Sequence, residues 1–312
     1  VTGVARLAFL GTPEMAVAPL RALVEAGHDV ALCVTRPDRR RGRGSAVTPS
    51  PVKEAALELG LAVSHSMEDV AEAGVELAVV VAYGRIIPAY LLARVPMVNL
   101  HFSLLPRWRG AAPVERAVLA GDRETGVCLM KLEEGLDTGP VYARVVVPIG
   151  DTMELPALRT ELVRAGCALL VAALAHGVAG LPEPVEQSGD VTSAAKVTPE
   201  DLRLQWDQPA VQLHRVVRLG RAWTTFRGKR LGIVRATPVA APGAAPGAGA
   251  GAARAAGSAG SRPPGTLEGT VVYTGDGALA LDAVQPESRS PMAAADWARG
   301  VRLVPGERLG SD

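Results

Sequence analysis

Four short apolar runs punctuate the first hundred residues, and what lies between them constrains the fold. They are ARLAFLG (Ala5–Gly11), DVALCVT (Asp29–Thr35), ELAVVVAY (Glu76–Tyr83) and MVNLHF (Met97–Phe102). Each is nearly unbroken by polar side chains, as strands buried on both faces are. Helical patterns separate them. TPEMAVAPLRALVEAG offers Thr12 as a cap, Pro13 at the first helical position and Gly27 at the exit. SPVKEAALELG offers Ser50 as its cap. Alternation of this kind predicts an α/β fold, a Rossmann-like, mostly parallel sheet with helices on both faces. Ligands of such sheets collect beyond the C-terminal ends of the strands. That rule directs attention to the end of MVNLHF and the stiff loop after it, SLLPRWRGAAP.

Two weakly alternating segments follow, TGVCLMKL (Thr125–Leu132) and GPVYARVVVPIG (Gly139–Gly150), on either side of the turn EEGLDT. A long amphipathic helix is expected from about Glu154 to His176. The polar, Pro/Gly-containing crossing GVAGLPEPVEQSGDVTSAAKVTPED then reads as inter-domain chain. The expected division is a catalytic domain over 1–188, a linker over 189–207 and a C-terminal domain over 208–312. That last part opens with a helix, QPAVQLHRVVRLG. It continues as short strands, KRLGIVRATPV, GTLEGTVVYTG, GALALDAVQP and RLVPGERLG, the pattern of a small OB-like β-barrel. The Ala/Gly/Pro segment 240–265 lacks the apolar content to order itself and is expected to be a flexible insertion.

Net charge is only +1, so the chain as a whole carries no nucleic-acid signature, but the charge is unevenly spread. Between Gln208 and Leu267 nine Lys/Arg occur with no Asp/Glu, seven of them from Arg215 to Arg235 around Trp223 and Phe226. A basic run interleaved with aromatics suits a phosphate backbone; a solvated surface with lysines guarding strand edges is the plainer alternative. A second cluster, RPDRRRGRG (Arg36–Gly44), has five arginines and one acid, and follows the second strand on the edge where a ligand is expected. No run reaches the length of a membrane span and no targeting leader is evident. With three scattered cysteines, Cys33, Cys128 and Cys167, a reducing, cytoplasmic setting is expected. Cys33 and Cys128 read as buried apolar side chains.

On a strand, residues i and i+2 share a face, so Asn99 and His101 are neighbours at a strand end. An amide and an imidazole at one point can hold a carbonyl oxygen as it becomes an oxyanion. Such a site needs a carboxylate to orient the ring or move a proton. Asp137 is the leading candidate, with Glu133 and Glu134 as rivals. Each of the three chosen residues also has a structural explanation: Asn99 as a turn cap, His101 as a bonded core histidine, Asp137 as the brace of its own turn. No nucleophile elbow, dinucleotide fingerprint or phosphate-binding loop is present. His28, His65, His176 and His214 are too scattered for a metal cluster.

The sequences VNLHFSLLPRWRGAAP and GDRETGVCLMKLEEGLDTGPVY, with FLGTPEMAV, TRPDRRRGRGSAVTPSPVK and VVVAYGRIIP, resemble the methionyl-tRNA formyltransferases of the formyltetrahydrofolate-dependent formyltransferase superfamily. The resemblance continues more weakly through VQLHRVVRLGRAW and LVPGERLG. It implies formyl transfer from 10-formyltetrahydrofolate, a co-substrate, to the α-amino group of methionine on initiator tRNA, with no permanently bound cofactor and no metal. It places the family's catalytic trio on Asn99, His101 and Asp137, and its folate contacts on Ser103, Leu104, Leu105 and Pro106. Its tRNA-entering loop falls on Arg36 to Pro49, with Arg36, Arg39, Arg40, Arg41 and Arg43 as the basic contacts. A C-terminal barrel touching the tRNA with Arg218, Arg221, Lys229 and Arg230 completes the expectation, as does a monomeric state. Two features depart from the family: the loop lacks the lysines usual after its second glycine, and the Ala/Gly/Pro insert has no counterpart role. The rival within the superfamily is a formyltransferase or formyltetrahydrofolate hydrolase acting on a small molecule. Outside enzymes the rival is an RNA-binding module. Arg107 and Arg109 are left with three readings, as contacts to tRNA phosphate, as contacts to folate glutamate, or as braces of their own loop.

Overall fold

The computed structural model describes residues 3–40, 47–242 and 262–311. It divides into two compact units. The first comprises Val1–Ala117, Arg123–Asp151 and Pro156–Lys196, and the second Val118–Asp122, Thr152–Leu155 and Val197–Asp312.

Seven strands form the sheet of the first unit: β1 (Arg6–Gly11), β2 (Asp29–Val34), β3 (Val63–Ser64), β4 (Leu77–Val81), β5 (Met97–His101), β6 (Glu124–Lys131) and β7 (Val141–Pro148). Their order is β7-β6-β5-β4-β1-β2-β3. The strands from β3 to β5 pair in parallel, and the hairpin β6–β7 adds two antiparallel strands beside β5. Helices α1 (Val17–Glu25), α2 (Pro51–Glu58), α3 (Pro113–Ala120) and α4 (Leu155–Leu174) connect or cover these strands. Ser50 caps α2 as expected, its Oγ accepting from Lys53 N–H at 3.0 Å. Thr12 does not cap the first helix. Its hydroxyl donates to the Tyr83 carbonyl instead, and the helix starts through a 3-10 turn at Glu14–Ala16.

The two faces of β5 have different covers. Val98 and Leu100 are buried, and Leu100 meets α4 so closely that a Cβ on Gly166 would lie 3.1 Å from its Cδ2. The opposite face carries Met97, Asn99 and His101 in register with Val80 of β4 and with Met130 and Cys128 of β6. On that face Ala8, Leu10, Val34, Ala78, Val80 and Met97 pack with Met67, Val70 and Leu91. Polar residues therefore replace apolar ones along one face as β5 approaches its C-terminal end.

The second unit contains an antiparallel sheet of β8 (Trp223–Phe226), β9 (Lys229–Val239), β10 (Leu267–Glu268), β11 (Val271–Tyr273), β12 (Ala278–Pro286) and β13 (Met292–Ala293). The order is β8-β9-β12-β11-β10, with β13 also on β12. Helices α5 (Ala210–Val217) and α6 (Ala294–Val301) pack on the same core as its strands. RLVPGERLG, expected as a strand, is not one. Its backbone instead joins the two edges of the sheet, with Gly310 N–H donating to Thr225 O and Leu267 N–H to Glu307 O. Helix α6 lies in a stretch to which the sequence reading assigned no element, and Trp297 anchors it edge-on to Phe226 with ring centroids 5.0 Å apart. Most of the low-complexity segment, 243–261, lies outside the described residues.

The stretch expected as a linker, 189–207, is divided between the units. Residues through Lys196 belong to the first, while Leu204 and Trp206 are buried in the core of the second. Polar composition suggested free chain, but backbone pairing and two large apolar side chains hold it at both ends.

Candidate active site

Asn99 and His101 point from the same face of β5, Asn99 partly exposed and His101 buried. Asp137 sits in the turn between β6 and β7, where the hairpin returns it beside the end of β5. Its Oδ2 lies 3.7 Å from His101 Nδ1 and accepts a 2.8 Å hydrogen bond from the backbone N–H of Gly110. The rivals are elsewhere. Glu133 is exposed and pairs with Lys131 at 3.2 Å, and Glu134 is exposed too.

The other imidazole nitrogen, Nε2, lies 3.0 Å from the Trp108 carbonyl. A carbonyl only accepts, so Nε2 carries a hydrogen and Nδ1 is the nitrogen that faces Asp137. The loop that supplies this carbonyl is tightly built. Ser103 Oγ donates to Arg107 O at 2.6 Å, and Trp108 adopts a left-handed conformation at φ 64°. Trp108 N–H donates to Thr192 Oγ1 at 2.8 Å. Arg109–Gly110 forms a short parallel pair with Ser193–Ala194. Gly110 has φ 125°, and a Cβ there would lie 2.9 Å from the Ala194 carbonyl. Gly110→Ala is thus expected to cost about 1–3 kcal/mol in a denaturant melt. It should also displace the N–H that holds Asp137.

Ser103, Leu105 and Pro106, expected to contact folate, are buried, and Leu105 packs with Cys128, Met130 and Val141. The partly exposed member of the run is Leu104. Arg109, left open by the sequence, braces the loop: its Nε and Nη2 donate to Gln187 Oε1 at 3.0 and 2.7 Å. The Arg107 guanidinium lies over the Trp108 ring, 4.5 Å from its centroid.

Residues that local sequence reading passed over complete the arrangement: Gln187, Thr192, the Trp108 carbonyl and the Gly110 N–H. The signal for the first two was weak, because PVEQSGDVTSA has the composition of a linker. Only its pairing with a loop some eighty residues away gives it a role.

The basic residues separate by placement. Arg36 follows β2 and is partly exposed. The loop's acid, Asp38, is paired with Lys53 at 2.6 Å. Arg39–Arg40 pairs antiparallel with Val47–Thr48 at the loop's base, and Arg41 and Arg43 lie outside the described residues. In the second unit Arg221, Lys229 and Arg230 are exposed, with the Arg230 guanidinium 4.5 Å from the Trp223 ring centroid. Arg218 is different from the surface cation expected: it is buried, and its Nε donates to Met153 O at 2.8 Å, which commits it to the interior. Cys33 and Cys128 are fully buried, and burial pushes the Cys33 thiol up to about 12. Among the described residues no three His, Cys, Asp or Glu side chains cluster as a metal site, and no helix is long and apolar enough to cross a membrane.

Comparison with known proteins shows the family. The formyl transferase family model matches residues 5–174, and the formyl transferase C-terminal domain matches 196–302. The methionyl-tRNA formyltransferase of Streptomyces coelicolor is 44% identical, covering 98% of this chain and 99% of its own. That of Thiobacillus denitrificans is 41% identical, covering 98% and 100%. Solved structures share the fold at low identity. A Helicobacter canadensis N-formyltransferase, in complex with folinic acid and dTDP-3-aminofucose, aligns with TM-score 0.64 at 17% identity over 89% of this chain and 99% of its own. Methionyl-tRNA formyltransferase from Clostridium thermocellum aligns with TM-score 0.52 at 16% identity over 75% and 93%. With matches of this extent in both halves of the sequence, the chain belongs to the formyl transferase family, among the methionyl-tRNA formyltransferases.

Proposed function

We propose that this chain transfers the formyl group of 10-formyltetrahydrofolate to the α-amino group of methionine on initiator Met-tRNA, with Asn99, His101 and Asp137 as its catalytic residues. The observation that carries the reading is the meeting of an amide, an imidazole and a carboxylate at the C-terminal end of β5. The neutral amine attacks the formyl carbon, and the carbonyl oxygen becomes an oxyanion. Asn99 donates to it from its amide. With Nε2 committed to Trp108 O, His101 donates toward the substrate from Nδ1. The ring is then an imidazolium, and Asp137 is its counter-charge. Asp137 also takes the proton that the attacking nitrogen loses, directly or through a water. The oxyanion collapses, the bond from the formyl carbon to N10 of the folate breaks, N10 receives the proton that Asp137 took from the amine, and tetrahydrofolate leaves with Asp137 a carboxylate again. Donors placed for a developing oxyanion contribute about 3–4 kcal/mol each in comparable sites.

Leu104 and the backbone of the SLLP turn form the wall proposed to meet the folate. Ser103, Leu105 and Pro106 hold that wall in place from behind. For the tRNA, the proposed contacts are the 36–49 loop and the exposed patch of Arg221, Lys229 and Arg230. Arg41→Ala with Arg43→Ala is expected to raise the KM for Met-tRNA roughly tenfold, about 1.4 kcal/mol for the pair, and to leave folate binding unchanged. Met-tRNA is a substrate of translation, so the reading places the chain in the cytoplasm; a monomeric state is proposed from the resemblance to the family.

One assay separates this reading from its rivals. The protein is mixed with 10-formyltetrahydrofolate and either Met-tRNA or buffer. Formyl-methionine on the RNA is the expected result. Formate released without tRNA points to a hydrolase, and no folate turnover points to an RNA-binding module.

A further inference from the structure

The side-chain amide of Gln187 spends its whole hydrogen-bonding capacity in one place. Nε2 donates to the carbonyls of Asp137 and Gly139, each at 2.8 Å, and Oε1 accepts two bonds from Arg109. The partners fix the amide's orientation, since carbonyls only accept and a guanidinium only donates. We infer that Gln187 is a positioning residue for formyl transfer: it locks the Asp137 turn to the loop that orients His101, and so sets the spacing of carboxylate and imidazole. The inference rests on the role proposed for Asp137.

Two observations support it. Asp137 has φ 51°, a left-handed conformation that persists only where surrounding bonds over-determine it. Gln187 bonds the carbonyl of that residue and the one two further on. At the other end, Arg109 lies between Trp108, whose carbonyl holds His101 Nε2, and Gly110, whose N–H holds Asp137 Oδ2. One side chain therefore ties the backbone of Asp137 to the segment that orients both catalytic partners. Thr192 and Ala194 brace the same segment but are not bonded to the Asp137 turn.

The test is Gln187→Glu, which keeps the shape and the Arg109 contact while replacing the NH2 that donates to two carbonyls with one oxygen that faces both. Its kcat is expected to fall about tenfold or more, as small misplacement of reacting groups does, with little change in KM for either substrate. Should this variant not fold, Gln187→Met, apolar and of similar length, carries the same comparison. The variant is then combined with Asp137→Asn. Once the carboxylate is gone its position no longer matters, so the double variant is expected to be no slower than Asp137→Asn alone. Losses that multiply show a general structural role and overturn the inference, as does wild-type kcat in a folded Gln187→Glu protein. Full turnover in Asp137→Asn alone overturns the role given to Asp137, and the inference with it. An impaired Asp137→Asn beside a normal Gln187→Glu overturns the inference only.

Discussion

Asn99→Ala and His101→Ala are each expected to lower kcat at least about a hundredfold while the dissociation constant for 10-formyltetrahydrofolate changes little. A formyl carbonyl in the bound folate carries only partial negative charge, and the tetrahedral intermediate carries a full one. Donors aimed at the developing charge therefore act mainly on the transition state. One such donor is worth about 2.7–4 kcal/mol, a factor of roughly 10²–10³. The two variants should differ in what else they disturb. Asn99 is partly exposed at the end of β5, and its truncation leaves the core intact. His101 is buried and bonded to the Trp108 carbonyl, so its loss also removes a buried ring and one of the bonds to that carbonyl, which Ser103 Oγ still meets at 3.5 Å. The lost bond alone costs roughly 0.5–1.5 kcal/mol of stability in addition. Stopped-flow turnover beside a denaturant melt separates the two effects. A hundredfold loss in Asn99→Ala that appeared wholly in KM would argue for ground-state binding instead.

Binding of tRNA is expected to weaken by roughly a thousandfold between about 50 and 200 mM salt if six or more cations meet phosphates. The cations proposed are Arg36, Arg39, Arg40, Arg41, Arg43, Arg221, Lys229 and Arg230. Each contact releases condensed counterions, so removing one cation should lower the logarithmic salt slope by about one and weaken every tRNA alike. Arg230→Ala is the sharpest single case, because its guanidinium is exposed and held over Trp223. Arg218→Ala should leave the slope unchanged and act on stability, its guanidinium being buried against Met153 O. A flat salt response would exclude the proposed phosphate grip.

Much of this arrangement was legible in the sequence because it is local. The parallel strands announce themselves as apolar runs, and Ser50 before Pro51 marks a helix start that the structure builds. Asn99 and His101 needed only the two-residue period of a strand. Asp137 was harder, since spacing alone left Glu133 and Glu134 as rivals; of the three, it is Asp137 that the hairpin turn returns beside His101. The misreadings were all long-range. Thr12 had a better partner in Tyr83 O than in its own helix. RLVPGERLG has the apolar spacing of a strand, but the sheet needed it to join two edges. AADWARGV was given no assignment at all; its helix packs Trp297 on Phe226, a contact no window of sequence contains. Gln187 was passed over for the same reason: its partners lie 48 and more residues away.

The most direct measurement is single-turnover formyl transfer from 10-formyltetrahydrofolate to Met-tRNA by Asp137→Ala, with both substrates saturating. Saturation removes binding from the comparison, and a single turnover removes product release. The expected result is a folded protein with unchanged folate affinity and a rate at least about a hundredfold below wild type. A rate within a few-fold of wild type would contradict it, because the His101–Asp137 pair would then have no part in the chemistry.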